Sequence, residues 1–204
     1  MLALDHLVIA ATTLEEGAAF AEQTLGVKLE QGGQHVRMGT HNQLLSLGGE
    51  YLEVLAVDTN LTKPPHPRWF RLDDCAGPPC LSNWVARVDD LATALGVSPP
   101  GTGDPMSFAR STLRWQMAVP VDGRLPFDDA FPALMEWDGT AHPVQSLPDR
   151  GLRLERLEIA HPEAAALSAA LAGLIDDPRI VLVSAAAKAM RAVIHTPHGR
   201  RTLE

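Results

Sequence analysis

Apolar and polar positions along the chain fall into short runs that switch between strand and helix periods. Leu4 to Ala11 reads LDHLVIAA, apolar and β-branched over the length of a strand. Thr13-Leu14-Glu15-Glu16 follows as a capping box: the Thr13 hydroxyl accepts from the third helical N–H while Glu16 reaches back to the Thr13 N–H. Leu14, Ala18, Ala21 and Leu25 then recur at helical spacing, and Gly26 ends the helix. A short strand near Lys28–Gln31, the run THNQLLSLG from Thr40 to Gly48, and EYLEVLAVD from Glu50 to Asp58 complete a first βαβββ unit.

The order then repeats. Past the connection KPPHPRWFRLDDCAGPPC, Leu81 to Val88 predicts a strand, and Asp89-Asp90 caps a short helix with Leu91 and Leu95 on one face, closed by Gly96. One strand over Met106 to Val119 and a short one over Ala133 to Asp138 follow. A third unit opens with Leu152 to Ala160. It continues through a helix begun by Pro162, with Leu167, Leu171 and Leu174 on one face, then runs starting at Ile180, Ala189 and Gly199. LDHLVIA and LERLEIA begin the first and third units, and GEYLE and GRRTLE end them. Each match is weak alone, but their shared order predicts related modules.

The expected fold is therefore α+β: paired βαβββ modules forming a cupped mixed β-sheet with outer helices, plus a third βαβββ-like module. The expected domains are 1–145, comprising modules 1–58 and 81–140 joined by a Pro-rich linker, and 150–204. Proline placement supports that linker, since none of the 16 prolines precedes Pro64 and 13 lie between Pro64 and Pro148.

Composition narrows the class. With 46% apolar and 21% charged residues the chain is an ordinary globular one. No apolar run approaches the ~18 residues of a membrane span and no leader pattern is visible, so a cytoplasmic location and no membrane partner are expected. A net charge of −8 has the wrong sign for a broad phosphate-binding surface, so no nucleic-acid partner is expected. Cys75 and Cys80 are spaced for neither a redox pair nor a zinc knuckle and read as ordinary thiols. Dinucleotide, P-loop, α/β-hydrolase and zincin motifs are absent.

The remaining chemical signal is positional. His6 sits in the middle of the first strand of module one and Glu53 in the middle of its last. Aligning the strand-to-helix junctions Thr13-Leu14 and Asp90-Leu91 places Asn83 where His6 stands, and aligning YLE with LME places Glu136 opposite Glu53. If the modules pack about a pseudo-twofold, these four side chains converge. A carboxylate or imidazole among apolar strand neighbours is costly to bury unless paired, protonated or metal-bound.

LDHLVIAA, GTHNQLLSLGGEYLEVLAV from Gly39, LRWQMAVP and LMEWDG resemble the glyoxalase-like domains of the vicinal oxygen chelate superfamily over roughly Leu4 to Pro143. The resemblance implies paired βαβββ units cupped around a divalent metal (Zn, Mn, Ni or Fe). His6, Glu53 and Glu136 match its ligand positions, with Glu53 or Glu136 doubling as the catalytic base. Asn83 departs from the His or Gln usual there and is expected, with Trp115 and Trp137, in the substrate pocket. Trp115 and Trp137, with Phe127 and Phe131, are candidate pocket walls and equally candidate core residues. Arg37 and Arg114 are candidate carboxylate binders, though surface arginines are common.

Two functions follow from the resemblance. One is a metal-dependent lyase or isomerase-type enzyme acting on a small oxygenated substrate. The other is a metal-free protein that sequesters a small molecule. The structural alternatives stand beside both: His6 as a satisfied strand residue, and Glu53 and Glu136 as charges protecting edge strands. The odd third module needs a partner for its strands, within the chain or across a homodimer.

Overall fold

The computed structural model describes residues 2–204. Module one comprises β1 (Ala3–Ala10), α1 (Leu14–Leu25), β2 (Glu30–His35), β3 (Thr40–Ser46) and β4 (Tyr51–Val57). The Thr13 hydroxyl accepts from the Glu16 N–H at 3.2 Å, and Gly26 ends the helix in the left-handed conformation, as their residue types require. Module two comprises β5 (Cys80–Arg87), α2 (Leu91–Leu95), β6 (Asp104–Arg110), β7 (Leu113–Val119) and β8 (Ala133–Trp137). Where the apolar pattern predicts one strand over 106–119, the chain makes a hairpin, turning at Ser111 with φ +51°. A polar Ser-Thr pair is enough for a tight turn, and continuous alternation hides it.

The two modules join edge to edge through antiparallel β1 and β5, giving one eight-stranded sheet ordered β2-β3-β4-β1-β5-β8-β7-β6. The sheet curls until its edges meet: Arg37 of the β2–β3 turn donates to the Ser107 carbonyl of β6 at 2.7 Å, and Arg110 at the end of β6 reaches Asn42 of β3. Its two faces carry different cores. Leu7, Ile9, Leu52, Trp84, Leu134 and Phe131 lie with the helices, while Val8, Leu55, Val85, Trp115, Met117 and Met135 lie inside the curl.

The tail has the expected βαβββ order in β9 (Arg153–His161), α3 (Ala164–Leu171), β10 (Ile180–Ser184), β11 (Ala189–Thr196) and β12 (Gly199–Leu203). Its wiring differs from module one: the sheet runs β10-β9-β11-β12, so its opening strand pairs with the second and third strands rather than with the last. Leu154, Leu157, Ile159, Met190 and Ile194 of this sheet share one apolar core with Leu25, Leu47 and Ala86 of the first two modules. The third module thus buries its face within the chain.

Gly103 holds the approach of the chain to β6. Its φ is +109°, and a Cβ there would lie 2.3 Å from the Val119 carbonyl carbon and 2.4 Å from the Pro120 nitrogen. Both obstacles are backbone, so Gly103→Ala is expected to cost about 2–4 kcal/mol of stability in a denaturant titration. A loss below about 0.5 kcal/mol would show that this turn relaxes freely.

Candidate functional site

The curl encloses a cup lined by His6, Asn42, Tyr51, Glu53, Trp69, Trp115 and their neighbours, with about 20 Å³ of free space, room for about one water. Its polar groups are set by strand register. Successive strand side chains point to opposite faces, so Asp5 and His6 should diverge. They do not, because β1 is bulged against β5 between Leu4 and His6. Asp5 Oδ1 therefore lies 2.6 Å from His6 Nδ1.

Asp5 is fully buried and acts as a hub. Its Oδ2 accepts from Trp137 Nε1 at 2.9 Å and lies 3.0 Å from His142 Nε2. The other ring nitrogen of His6 is 3.4 Å from Glu53 Oε2, and the Tyr51 ring stacks on the imidazole at 4.4 Å. Glu53 Oε1 accepts from Asn42 Nδ2 at 2.5 Å. Asn42 Oδ1 in turn accepts from Arg110 Nη1 at 3.0 Å. His35 completes the row, with Nε2 3.2 Å from Arg110 Nη1 and 4.0 Å from Glu53 Oε1.

These contacts decide protonation. Burial opposes charge on His6, but hydrogen bonds to Asp5 and Glu53 and their negative charges outweigh it and raise its pKa to about 9. Burial likewise works against an ionised Glu53, yet the His6 hydrogen bond and charge, with His35 and Asn42, bring it down to about 2. Asp5, desolvated but held by His142 and His6, lies below the usual carboxylate range. His35 is depressed to about 4, first by burial and then by the charge of Arg110 against the pull of Glu53. Asp5, His6 and Glu53 thus form an alternating charged row beside a neutral His35.

A pH profile of stability follows. The His6 contribution is complete below its unfolded value of about 6.5 and fades as pH rises through about 9. The Glu53 contribution is complete above about 4.5 and fades toward about 2, while His35, neutral when folded, disfavours the fold as pH falls from about 6.5 to about 4. The melting temperature should peak near pH 6–7 and fall by several degrees on either side. A profile flat from pH 5 to 9 would contradict the charged row.

The structure does not gather all the expected residues. His6 and Glu53 meet. Asn83 is buried on β5, paired across from Val8, and its Nδ2 has no partner among the described residues; Val85 is the residue opposite His6. Glu136 faces the other side of β8, where its Oε2 accepts from the Leu91 N–H at the start of α2 at 2.7 Å. Met135 and Trp137 take the inward positions. The reason is register. The separation that maps His6 onto Asn83 also maps Val8 onto Val85, and the strand partner of Val8 is Glu53, whereas that of Val85 is Ala133.

Module two thus offers Asn83 and Ala133 where module one offers His6 and Glu53. Among the described residues no three His, Cys, Asp or Glu side chains are grouped to hold a metal ion. With half a ligand set, and the Arg110 cation beside the groups around Glu53, the donors do not fit the metal the resemblance implies.

Trp115 and Trp137 do line the cup, whereas Phe131 is buried on the helix side and Phe127 packs against that same core. Arg114 is bonded to the carbonyls of Ser111 and Leu113 and lies outside the cup. His35, Asn42, Arg110 and His142 escape a sequence reading. Only Asn42 carries a local signal, as a polar residue sharing its strand face with Thr40 and Leu44.

Two edge-joined βαβββ modules curled around a polar cup define a glyoxalase-like fold. A model of the glyoxalase-like domain family matches residues 4–175, and the chain belongs to that family. The match extends past module two into the third unit. No curated protein matches significantly. Among solved structures, a hypothetical protein from Staphylococcus aureus is similar at TM-score 0.64 and 13% identity, over 92% of this chain and 88% of that one. A hypothetical protein from Bacillus halodurans C-125 matches at TM-score 0.46 and 15% identity, over 69% and 96%. Methylmalonyl-CoA epimerase from Mycobacterium tuberculosis matches at TM-score 0.44 and 16% identity, over 68% and 88%.

Proposed function

We propose that this chain is an isomerase-type enzyme that moves a proton on a small oxygenated substrate held in the cup. The observation that carries the reading is the buried His6–Glu53 pair at 3.4 Å, inside an enclosed, aromatic-lined space. Buried charge is expensive to desolvate, and titratable pairs with strongly perturbed pKa values in a cleft concentrate at functional sites. At rest the pair holds Glu53 near pKa 2, too weak a base to be useful. A substrate carbonyl oxygen that accepts the His6 Nε2–H takes that proton away from Glu53 and raises its basicity.

Glu53 then removes a proton from the carbon beside the carbonyl. The C–H electron pair moves toward the carbonyl oxygen, which the His6 imidazolium stabilises. Return of the proton from Glu53 to the same face of the carbon regenerates the substrate and shows only as C–H exchange; isomerisation follows when the planar enolate turns within the cup and takes the proton on its opposite face, with no oxidant or further reactant. No step passes through a metal.

The second reading, metal-free sequestration of a small molecule, is favoured by the aromatic walls Trp69, Phe70, Trp115 and Trp137. Deuterium exchange separates the two. The protein is incubated in heavy water with a panel of small 2-substituted carbonyl compounds and C–H signals are followed by NMR. Catalysed exchange on at least one compound, unchanged by a chelator, is expected. Binding without exchange across the panel would replace the enzyme reading with sequestration.

A further inference from the structure

Three side chains that line the cup carry donors without the acceptors they call for. Trp69 Nε1 and Trp115 Nε1 are buried with no hydrogen-bond partner among the described residues. The other two indoles are satisfied, Trp84 by the Ala130 carbonyl at 3.0 Å and Trp137 by Asp5 at 2.9 Å. An unpaired buried N–H costs about 1–3 kcal/mol, so two such groups on side chains that line one cavity need an explanation. The third donor is Arg110. Its hydrogen bonds go only to the neutral Asn42 Oδ1 and His35 Nε2, and no carboxylate of the described residues lies within ion-pair distance of it.

We propose that the cup is a carboxylate site, in which a small organic acid places its carboxylate on Arg110 and the two indole N–H groups and its hydrocarbon part against Phe70, Met117 and Met135. This rests on the reading of the cup as the active site and names its substrate class. Arginine presents a planar fork of donors that matches a carboxylate, and indole N–H groups donate only, so the set selects acceptor oxygens. Around the cup Asp5 and Glu53 balance His6 and Arg110, so an entering carboxylate meets no net negative charge.

Access requires movement, because the free space holds about one water. In this proposal the moving part is the wall formed by Trp69 and Phe70. Phe70 and Arg71 carry φ of +55° and +54°, left-handed values that cost non-glycine residues of order 1–3 kcal/mol each. Displacing this segment relieves that strain.

The test uses benzoate as probe and benzamide as its neutral counterpart, read by melting temperature and tryptophan fluorescence on the full chain. Benzoate should raise the melting temperature and perturb the fluorescence, and benzamide should bind at least about tenfold more weakly. Arg110→Gln should weaken benzoate about 10- to 100-fold, the loss of a charge-assisted hydrogen bond. Trp69→Phe, which removes one N–H and keeps an aromatic wall, should weaken it several-fold and serves as the second variant. Equal binding of benzamide, retention of benzoate by a folded Arg110→Gln protein, or no response to benzoate would each overturn the proposal. Glu53→Gln should still bind benzoate. Binding through Arg110 without any C–H exchange would therefore remove the isomerase reading and leave the carboxylate site standing.

Discussion

Glu53→Gln is expected to lower the rate of C–H exchange on a productive substrate by about 10²- to 10⁴-fold, the usual contribution of a positioned general base. Glutamine has nearly the same shape, and its side-chain oxygen can still accept from Asn42 Nδ2, which now bonds Glu53 at 2.5 Å. What it loses is the capacity to take a proton. His6 loses its anionic neighbour at the same time, so its pKa should fall from about 9 toward the ordinary range, leaving Asp5 as its charged partner. The expected signature is a large fall in kcat, a smaller change in KM, and an imidazole titration displaced downward by NMR. Exchange that persists in a folded Glu53→Gln protein would move the proton-transfer role to another residue. Glu53→Asp, which keeps a base but shortens its reach by one methylene, should retain more activity than the glutamine variant and less than the wild type.

The largest effect on stability is expected at Asp5. Its carboxylate contacts His6, Trp137 and His142 and has no solvent exposure. Asp5→Ala removes the hub, leaving the Trp137 N–H without its acceptor and the buried His6 imidazolium with Glu53 alone. Breaking a buried charge pair by deleting one partner costs about 3–5 kcal/mol, far more than the pair itself contributes over an apolar replacement. For a chain of this size that corresponds to a fall in melting temperature of roughly 6–20 °C. Denaturant unfolding at pH 6.5 measures it. A cost below about 1 kcal/mol would mean that water replaces the carboxylate and that the bulge at Leu4–His6 does not depend on it. Asp5→Asn, which keeps an acceptor for Trp137 but not the charge, should fall between the two and should also lower the His6 pKa.

His6 and Glu53 were legible because both stand mid-strand in apolar runs whose period is unambiguous. The relation between His6 and Asn83 was legible because it depends on the strand-to-helix junctions, which capping residues mark sharply. Glu136 was misplaced for an equally physical reason. In a five-residue strand, both phases of alternation put apolar residues on a face, and a shift of one residue exchanges the faces. The pairing of Val85 with Ala133 settles the phase and sends Glu136 to cap α2.

By itself, the sequence determined the βαβββ order of the first and third units, the capped helices and the polar pair on the first and last strands of module one, while the hairpin that completes the second unit was hidden in a continuous apolar pattern. These follow from local periodicity and capping, which act over a few residues. Only the tertiary structure decided that Asp5 sits beside His6 and bonds His142, that the second half of the expected ligand set is missing, and that His35, Asn42 and Arg110 line the cup. Arg110 lies 68 positions from Asn42 along the chain and on the opposite edge of the sheet. Only the curl of that sheet, the accumulated twist of eight strands, brings the two together.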